Sequence, residues 1–122
     1  MSRLINWFEI PVTDFVRARR FYETVLAVAL KEETFGDGLM GVFPHECPAT
    51  GGAIVRMEKY TPGPSGVVIY LDGGDDLATP LARVGEAGGS VVVPKTQITP
   101  EIGYFALFRD TEGNIVGLHS QH

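Results

Sequence analysis

The chain has 122 residues, of which 44% are apolar and 20% are charged, a composition typical of one globular domain. Its net charge of −5 argues against nucleic acid or an anionic membrane surface as the main partner. No apolar run approaches the roughly 18 residues that a membrane span needs, so a membrane location is not expected.

The first half of the chain predicts one strand, one helix and three further strands. A strand over 4–12 precedes Thr13 and Asp14, either of which can cap a helix by accepting an N–H hydrogen bond. Apolar residues recur in this helix at helical spacing and predict a face that packs on a sheet. These residues are Phe15, Ala18, Phe21, Tyr22, Val25 and Leu26. The remaining strands are predicted over 30–34, 39–43 and 52–57.

The second half repeats this order of elements. Residues 60–66 are rich in proline and glycine and predict the joint between the halves. A strand over 67–71 comes next, and Asp75 or Asp76 can then cap a helix. The apolar face of this helix consists of Leu77, Leu81, Val84 and Ala87. The last three strands are predicted over 90–93, 104–109 and 115–120.

Each half is therefore a βαβββ module, over about 1–60 and 66–122, and the chain is predicted to have an α+β fold in one domain. The helix of a module covers one face of its sheet and leaves the other face open. Two open faces can line a shared cleft, which is where a ligand or substrate would bind.

Alternation along the strands selects the side chains that point into this cleft. The candidate ligand contacts are Trp7, Glu9, Tyr70, Tyr104, Gly117 and His119. The two tyrosines lie on strands whose aromatic residues line either the cleft or the helix core, and this choice stays open.

Glu9 and His119 are the candidate catalytic residues, because the cleft would bring together a carboxylate and an imidazole from opposite ends of the chain. A carboxylate beside Trp7, partly removed from water, can act as a general base, and His119 can complete an acid–base pair or bind a ligand carboxylate. The alternative is structural. Glu9 would then be exposed or paired with Arg56, and His119 would simply be exposed near the C-terminus.

A resemblance to a known family begins at residues 10–27, IPVTDFVRARRFYETVLA. This stretch resembles the first strand and helix of the vicinal oxygen chelate superfamily, which includes glyoxalase I, bleomycin-resistance proteins and extradiol dioxygenases. Residues 104–120, YFALFRDTEGNIVGLHS, resemble its closing hairpin. Residues 70–96 resemble the second-half strand and helix of uncharacterised small glyoxalase-related members. The resemblance implies paired βαβββ modules around a cleft and a homodimer.

In metal-using members, the resemblance implies a histidine at the place of Trp7 and a histidine or glutamine at the place of Ile69 or Val68. It implies a glutamate on the last strand, at the place of Gly117. The side chains found here donate no lone pair to a divalent metal. The expectation is therefore no metal and no other cofactor, with an aromatic cleft wall and extra room beside Gly117.

The location of the protein follows from its thiol content and its first residues. Cys47 is the only cysteine, which excludes an internal disulfide and favours a reducing, cytoplasmic compartment. The stretch MSRLINWFEIPV lacks the apolar core and cleavage site of a signal peptide, so none is expected.

Two functions stay open. The first is metal-independent binding of a small organic ligand, in the manner of the drug-sequestering members of the superfamily. The alternative is a glyoxalase-like lyase or isomerase that acts on a small carbonyl compound, with Glu9 as general base or metal ligand. Without a metal, this enzyme would need another group to hold an enolate, and the sequence offers none.

Overall fold

The first module of the protein is a four-stranded sheet with one helix. The computed structural model describes residues 4–122. The elements of this module are β1 (Trp7–Pro11), α1 (Phe15–Leu26), β2 (Lys31–Phe35), β3 (Gly38–Val42) and β4 (Gly51–Arg56). The strand order is β1-β4-β3-β2, with β1 parallel to β4 and the other pairs antiparallel. We call this sheet 1.

The second module repeats the same topology. Its elements are β5 (Tyr70–Asp72), α2 (Ala78–Leu81), β6 (Ser90–Thr99), β7 (Gly103–Arg109) and β8 (Ile115–Ser120). The strand order is β5-β8-β7-β6, with β5 parallel to β8, and we call this sheet 2. The α+β fold of two βαβββ modules predicted from the sequence is therefore confirmed. Among the described residues, neither helix is long and apolar enough to cross a membrane.

Helix α1 begins and ends where its capping residues allow. The Asp14 side chain accepts the Arg17 N–H at 3.0 Å, and Ala27 ends the helix in the left-handed conformation at φ 55°. The predicted apolar face is confirmed, since all of its residues are buried except Leu26, which is partly buried. This face also packs on sheet 2, because the Phe21 ring lies 5.7 Å from that of Phe108 in β7.

Three elements of the second module differ from the prediction. Strand β5, predicted over 67–71, spans only Tyr70–Asp72. Helix α2 ends at Leu81, earlier than predicted. Irregular hydrogen-bonded turns follow it and end at Gly88, whose φ is 103°. The glycines at 85 and 88 explain this, since glycine weakens a regular helix. Strand β6, predicted to end at 93, continues to Thr99, because shifts of register on either side of Val93 let it pass Pro94 while paired with β7.

The turn between β7 and β8 holds the two modules together. Asp110 is buried and accepts the Tyr22 hydroxyl of α1 at 2.7 Å. Glu112 accepts the backbone N–H groups of Thr13 and Asp14 at the start of the same helix. Asn114 donates to the Pro11 carbonyl at 2.8 Å. These polar contacts fix α1 against sheet 2 and leave the helix-free faces of both sheets open.

Candidate functional site

The helix-free face of sheet 2 carries an apolar recess of about 380 Å³, lined by Tyr70, Ile98, Phe105 and His119. Strand register explains why these side chains meet. Phe105 lies opposite His119 across β7 and β8, and Tyr70 lies opposite Gly117 across β5 and β8. The rings of Tyr70 and Phe105 are 6.4 Å apart at an angle of 67°. Tyr70 is 52% exposed and Ile98 is 44% exposed, so the recess is open to solvent. We call it the sheet-2 recess.

Gly117 forms the floor under Tyr70. A Cβ atom at Gly117 would overlap the Tyr70 ring, so the ring occupies the space that a side chain on this strand would need. The extra room that we expected beside Gly117 is therefore not present, because an aromatic ring from the neighbouring strand fills it. A glutamate at this position, as in metal-using members of the resembling family, would displace Tyr70.

His119 is held in one orientation by the loop before β7. Its Nε2 lies 2.7 Å from the Ile102 carbonyl oxygen. A carbonyl oxygen can only accept a hydrogen bond, so Nε2 carries the hydrogen and donates it. In the neutral ring, Nδ1 then keeps its lone pair and is an acceptor.

Trp7 and Glu9 form a separate polar group on the helix-free face of sheet 1. The Trp7 indole N–H donates to the Glu9 carboxylate at 3.2 Å, and the Trp7 ring meets the His45 ring edge-on at 6.1 Å. The charge of Glu9 raises the pKa of the nearby Tyr60 hydroxyl. Glu9, Tyr60 and their neighbours line a recess of about 450 Å³.

The six candidate residues from the sequence therefore fall into three places. Tyr70, Gly117 and His119 meet at the sheet-2 recess, whereas Trp7 and Glu9 lie together on sheet 1. Tyr104 lies on the opposite face of β7 and packs against the core, because it alternates with Phe105 along the strand. The structure does not bring Glu9 and His119 into one recess of this chain.

Sequence reasoning missed several residues of these recesses. Ile98 was assigned to no strand, because the register shifts in β6 hide the alternation of its side chains. Phe105 could have been found, since it lies across from His119 once the closing hairpin is aligned. Tyr60 lies outside the strands, where alternation gives no signal. The same holds for His45, which lies beside Trp7 but lines neither recess.

The donor atoms present do not fit the metal site of the resembling family. The two modules can be aligned by a backbone hydrogen bond that each makes just after its first strand. In the first module, the Val12 N–H donates to the Val55 carbonyl. In the second, the Gly73 N–H donates to the His119 carbonyl, so Gly73 is the equivalent of Val12. Val68 is then the counterpart of Trp7, and neither side chain is a metal ligand. Within residues 4–122, no three His, Cys, Asp or Glu side chains cluster in a way that could hold a metal ion.

Comparisons with known proteins agree with this architecture. The family model of the Glyoxalase/Bleomycin resistance protein/Dioxygenase superfamily matches residues 4–118. A glyoxylase-like domain-containing protein from Didymella fabae is 31% identical over 90% of this chain and 88% of its own length.

Solved structures give the same result. A glyoxalase/bleomycin resistance protein from Streptomyces sp. CB03234 superposes with a TM-score of 0.70 at 28% identity, over 96% of this chain and 100% of that one. TnmS3, an antibiotic binding protein from the same organism, superposes with a TM-score of 0.68 at 27% identity, over 97% and 95%. The chain belongs to the glyoxalase/bleomycin resistance protein/dioxygenase superfamily.

Proposed function

We propose that this protein binds a small organic molecule without the help of a metal. The observation that carries the proposal is the sheet-2 recess, an open concave surface with apolar and aromatic walls, whose polar side-chain groups are the His119 imidazole and the Tyr70 hydroxyl. Small-molecule sites are typically concave and mostly apolar, with few polar groups that orient the ligand. The similarity to TnmS3, described as an antibiotic binding protein, supports the same class of function.

The contacts of Glu9 favour binding over a lyase or isomerase reaction. A general base must reach the proton that it removes, and it needs an electrophile nearby to stabilise the resulting enolate. The Glu9 carboxylate is bound by the Trp7 indole, and it lies in a different recess from His119.

We propose cytoplasm as the location of the protein. Cys47 is exposed and free, and an exposed thiol of this kind suits a reducing compartment.

The metal-independent part of the proposal can be tested by removing metals from the protein. After dialysis against EDTA, we expect ligands found in a thermal-shift screen to raise the melting temperature as much as they do for untreated protein. Metal analysis by mass spectrometry should accompany the screen. A ligand that binds only after zinc, nickel or manganese is restored would overturn the proposal.

We also propose that the protein is a homodimer in which a second copy packs along β6, the edge strand of sheet 2. Val91 and Val92 of this strand are 47% and 45% exposed, and neither lines the sheet-2 recess. Apolar surface of this kind favours association. Analytical ultracentrifugation should show a dimer at micromolar concentration, and Val92→Glu should shift it to monomer. Val16→Glu, at an exposed position of α1, is the matched control. A wild-type monomer, or a dimer that tolerates Val92→Glu, would contradict this interface.

A further inference from the structure

We infer that the sheet-2 recess recognises a planar aromatic ring that carries a hydrogen-bond donor, such as a phenol or an N–H heteroaromatic. The inference rests on the proposed binding function and names the chemical class of its ligand. It follows from the support of Tyr70 by Gly117, from the angle between Tyr70 and Phe105, and from the hydrogen-bonding state of His119.

The first step is the placement of Tyr70. Its ring occupies the space above Gly117, which is open only because this position has no side chain. The remaining surface of Tyr70 is exposed and lines the recess. An aromatic surface is thus displayed at the place where the strand would otherwise present a side chain of its own. The position of the Tyr70 ring therefore depends on the glycine at 117.

The second step is the shape of the aromatic surface. The Tyr70 and Phe105 rings meet at 67° with 6.4 Å between their centres, so they form a corner rather than a flat wall. Aromatic pairs prefer offset-stacked or edge-to-face arrangements. A flat ring placed in this corner can stack on one of the two rings and direct its edge at the other. Ile98 adds an apolar wall, which suits a ring better than a charged group.

The third step is the polarity of the ligand. The Nε2–H of His119 is engaged with the Ile102 carbonyl, which leaves Nδ1 of the neutral ring as an acceptor. In this neutral form, the imidazole accepts from a donor on the ligand and has no second N–H to offer an acceptor. The Tyr70 hydroxyl can both donate and accept, so it discriminates less between ligands. The imidazole is the group that selects for a donor.

The experiment compares three probes of similar size on EDTA-treated protein, by titration followed in two-dimensional amide NMR spectra. The probes are 2-naphthol, 2-methoxynaphthalene and decahydro-2-naphthol. The first is planar with a donor, the second is planar without one, and the third has a donor but no aromatic ring. We expect saturable shifts of the Tyr70, Gly117 and His119 amides with 2-naphthol, at a Kd of roughly 1 mM. The other two probes should bind about 10-fold more weakly.

Variants of the recess test the role of each side chain. Tyr70→Leu should weaken 2-naphthol binding about 10-fold, whereas Tyr60→Leu, in the other recess, should leave it unchanged. His119→Phe keeps an aromatic ring but removes the acceptor, so it should abolish the preference for 2-naphthol over 2-methoxynaphthalene. The amide spectra also report whether each variant is folded. If a variant fails to fold, the three-probe comparison on the wild-type protein still tests the inference.

Several results would overturn the inference. Equal affinity for all three probes would show that neither planarity nor the donor matters. Tight binding of decahydro-2-naphthol would refute an aromatic ligand, and yet it would leave metal-independent binding intact. Absence of shifts at the recess with 2-naphthol would refute the assigned ligand class. The proposed function itself fails separately, if binding in the ligand screen depends on restored metal.

Discussion

Replacing Glu112 with alanine is expected to lower the free energy of unfolding by about 3 kcal/mol, because its carboxylate is buried and accepts several hydrogen bonds. It binds the N–H groups of Thr13 and Asp14 at 2.9 and 2.8 Å, and the Arg17 Nε–H at 2.8 Å. Without it, the two N–H groups that immediately precede α1 lose their acceptor, and Arg17 loses its partner. Urea denaturation measures the change, and Glu86→Ala, which removes an exposed glutamate, is the control.

The lowered pKa of Glu112 means that the protein should lose stability in acid. Burial by itself would raise the pKa of Glu112, but the hydrogen bonds from Arg17 and the backbone outweigh it and lower the pKa from 4.5 to about 2. As the pH falls, the unfolded state therefore takes up this proton first. The contribution of Glu112 is complete above about pH 4.5 and is lost as the pH falls toward 2.

The variant provides the check on this pH dependence. Wild-type protein should lose stability between pH 4.5 and 2 more steeply than Glu112→Ala, which lacks the group. Glu86→Ala should follow the wild-type curve. Identical slopes for wild type and Glu112→Ala would show that the carboxylate is not ionised through these contacts.

Asp110→Ala is expected to have the larger effect, a loss of about 4 kcal/mol, because it leaves buried donors without an acceptor. Tyr22 is 0% exposed and its hydroxyl donates to Asp110 at 2.7 Å. Burial, and then the charge of Asp110, raises the pKa of Tyr22 well above its usual value, so the hydroxyl stays a donor. Asp110 also accepts the Asn114 backbone N–H at 2.9 Å and its side-chain N–H at 3.0 Å.

A double-mutant cycle separates the Tyr22 contact from the rest. Tyr22→Phe alone should lower the free energy of unfolding by about 1.5 kcal/mol. The double variant Tyr22→Phe/Asp110→Ala should lose less stability than the sum of the losses of the two single variants. Asp75→Ala, at an exposed aspartate, is the matched control and should change stability by less than about 0.5 kcal/mol. If the two losses of stability were strictly additive, this would contradict a direct hydrogen bond between the Tyr22 and Asp110 side chains.

Both carboxylates lie in the turn that joins β7 to β8, far along the chain from the helix that they hold. They attach α1 of the first module to the second module. Helix α1 is thereby kept on the covered face of sheet 2, and the opposite face of this sheet stays exposed. Neither carboxylate lines the sheet-2 recess, so the two variants should change ligand binding only as far as they unfold the protein.

Local patterns were enough to predict most elements of the fold. The helical spacing from Phe15 to Leu26 predicted α1, because burial on one face requires that period. Apolar runs between turn residues predicted the strands of both modules in their order along the chain. Prediction failed where the pattern breaks, at the glycines after Leu81 and at the register shifts beside Pro94. There, glycine and proline change the backbone in ways that composition alone does not specify.

The sequence by itself determined the two βαβββ modules, since these depend on residue type and spacing along the chain. The resemblance to the family added the expectation that no metal-ligating side chain stands at the family's metal positions. Only the tertiary structure decided which residues share a recess. Alternation divides a strand into two faces but does not say which face the helix covers, and this separates Tyr104 from His119. The Tyr70 ring over Gly117 and the Ile102 carbonyl on His119 depend on contacts between different strands and loops, which no local pattern encodes.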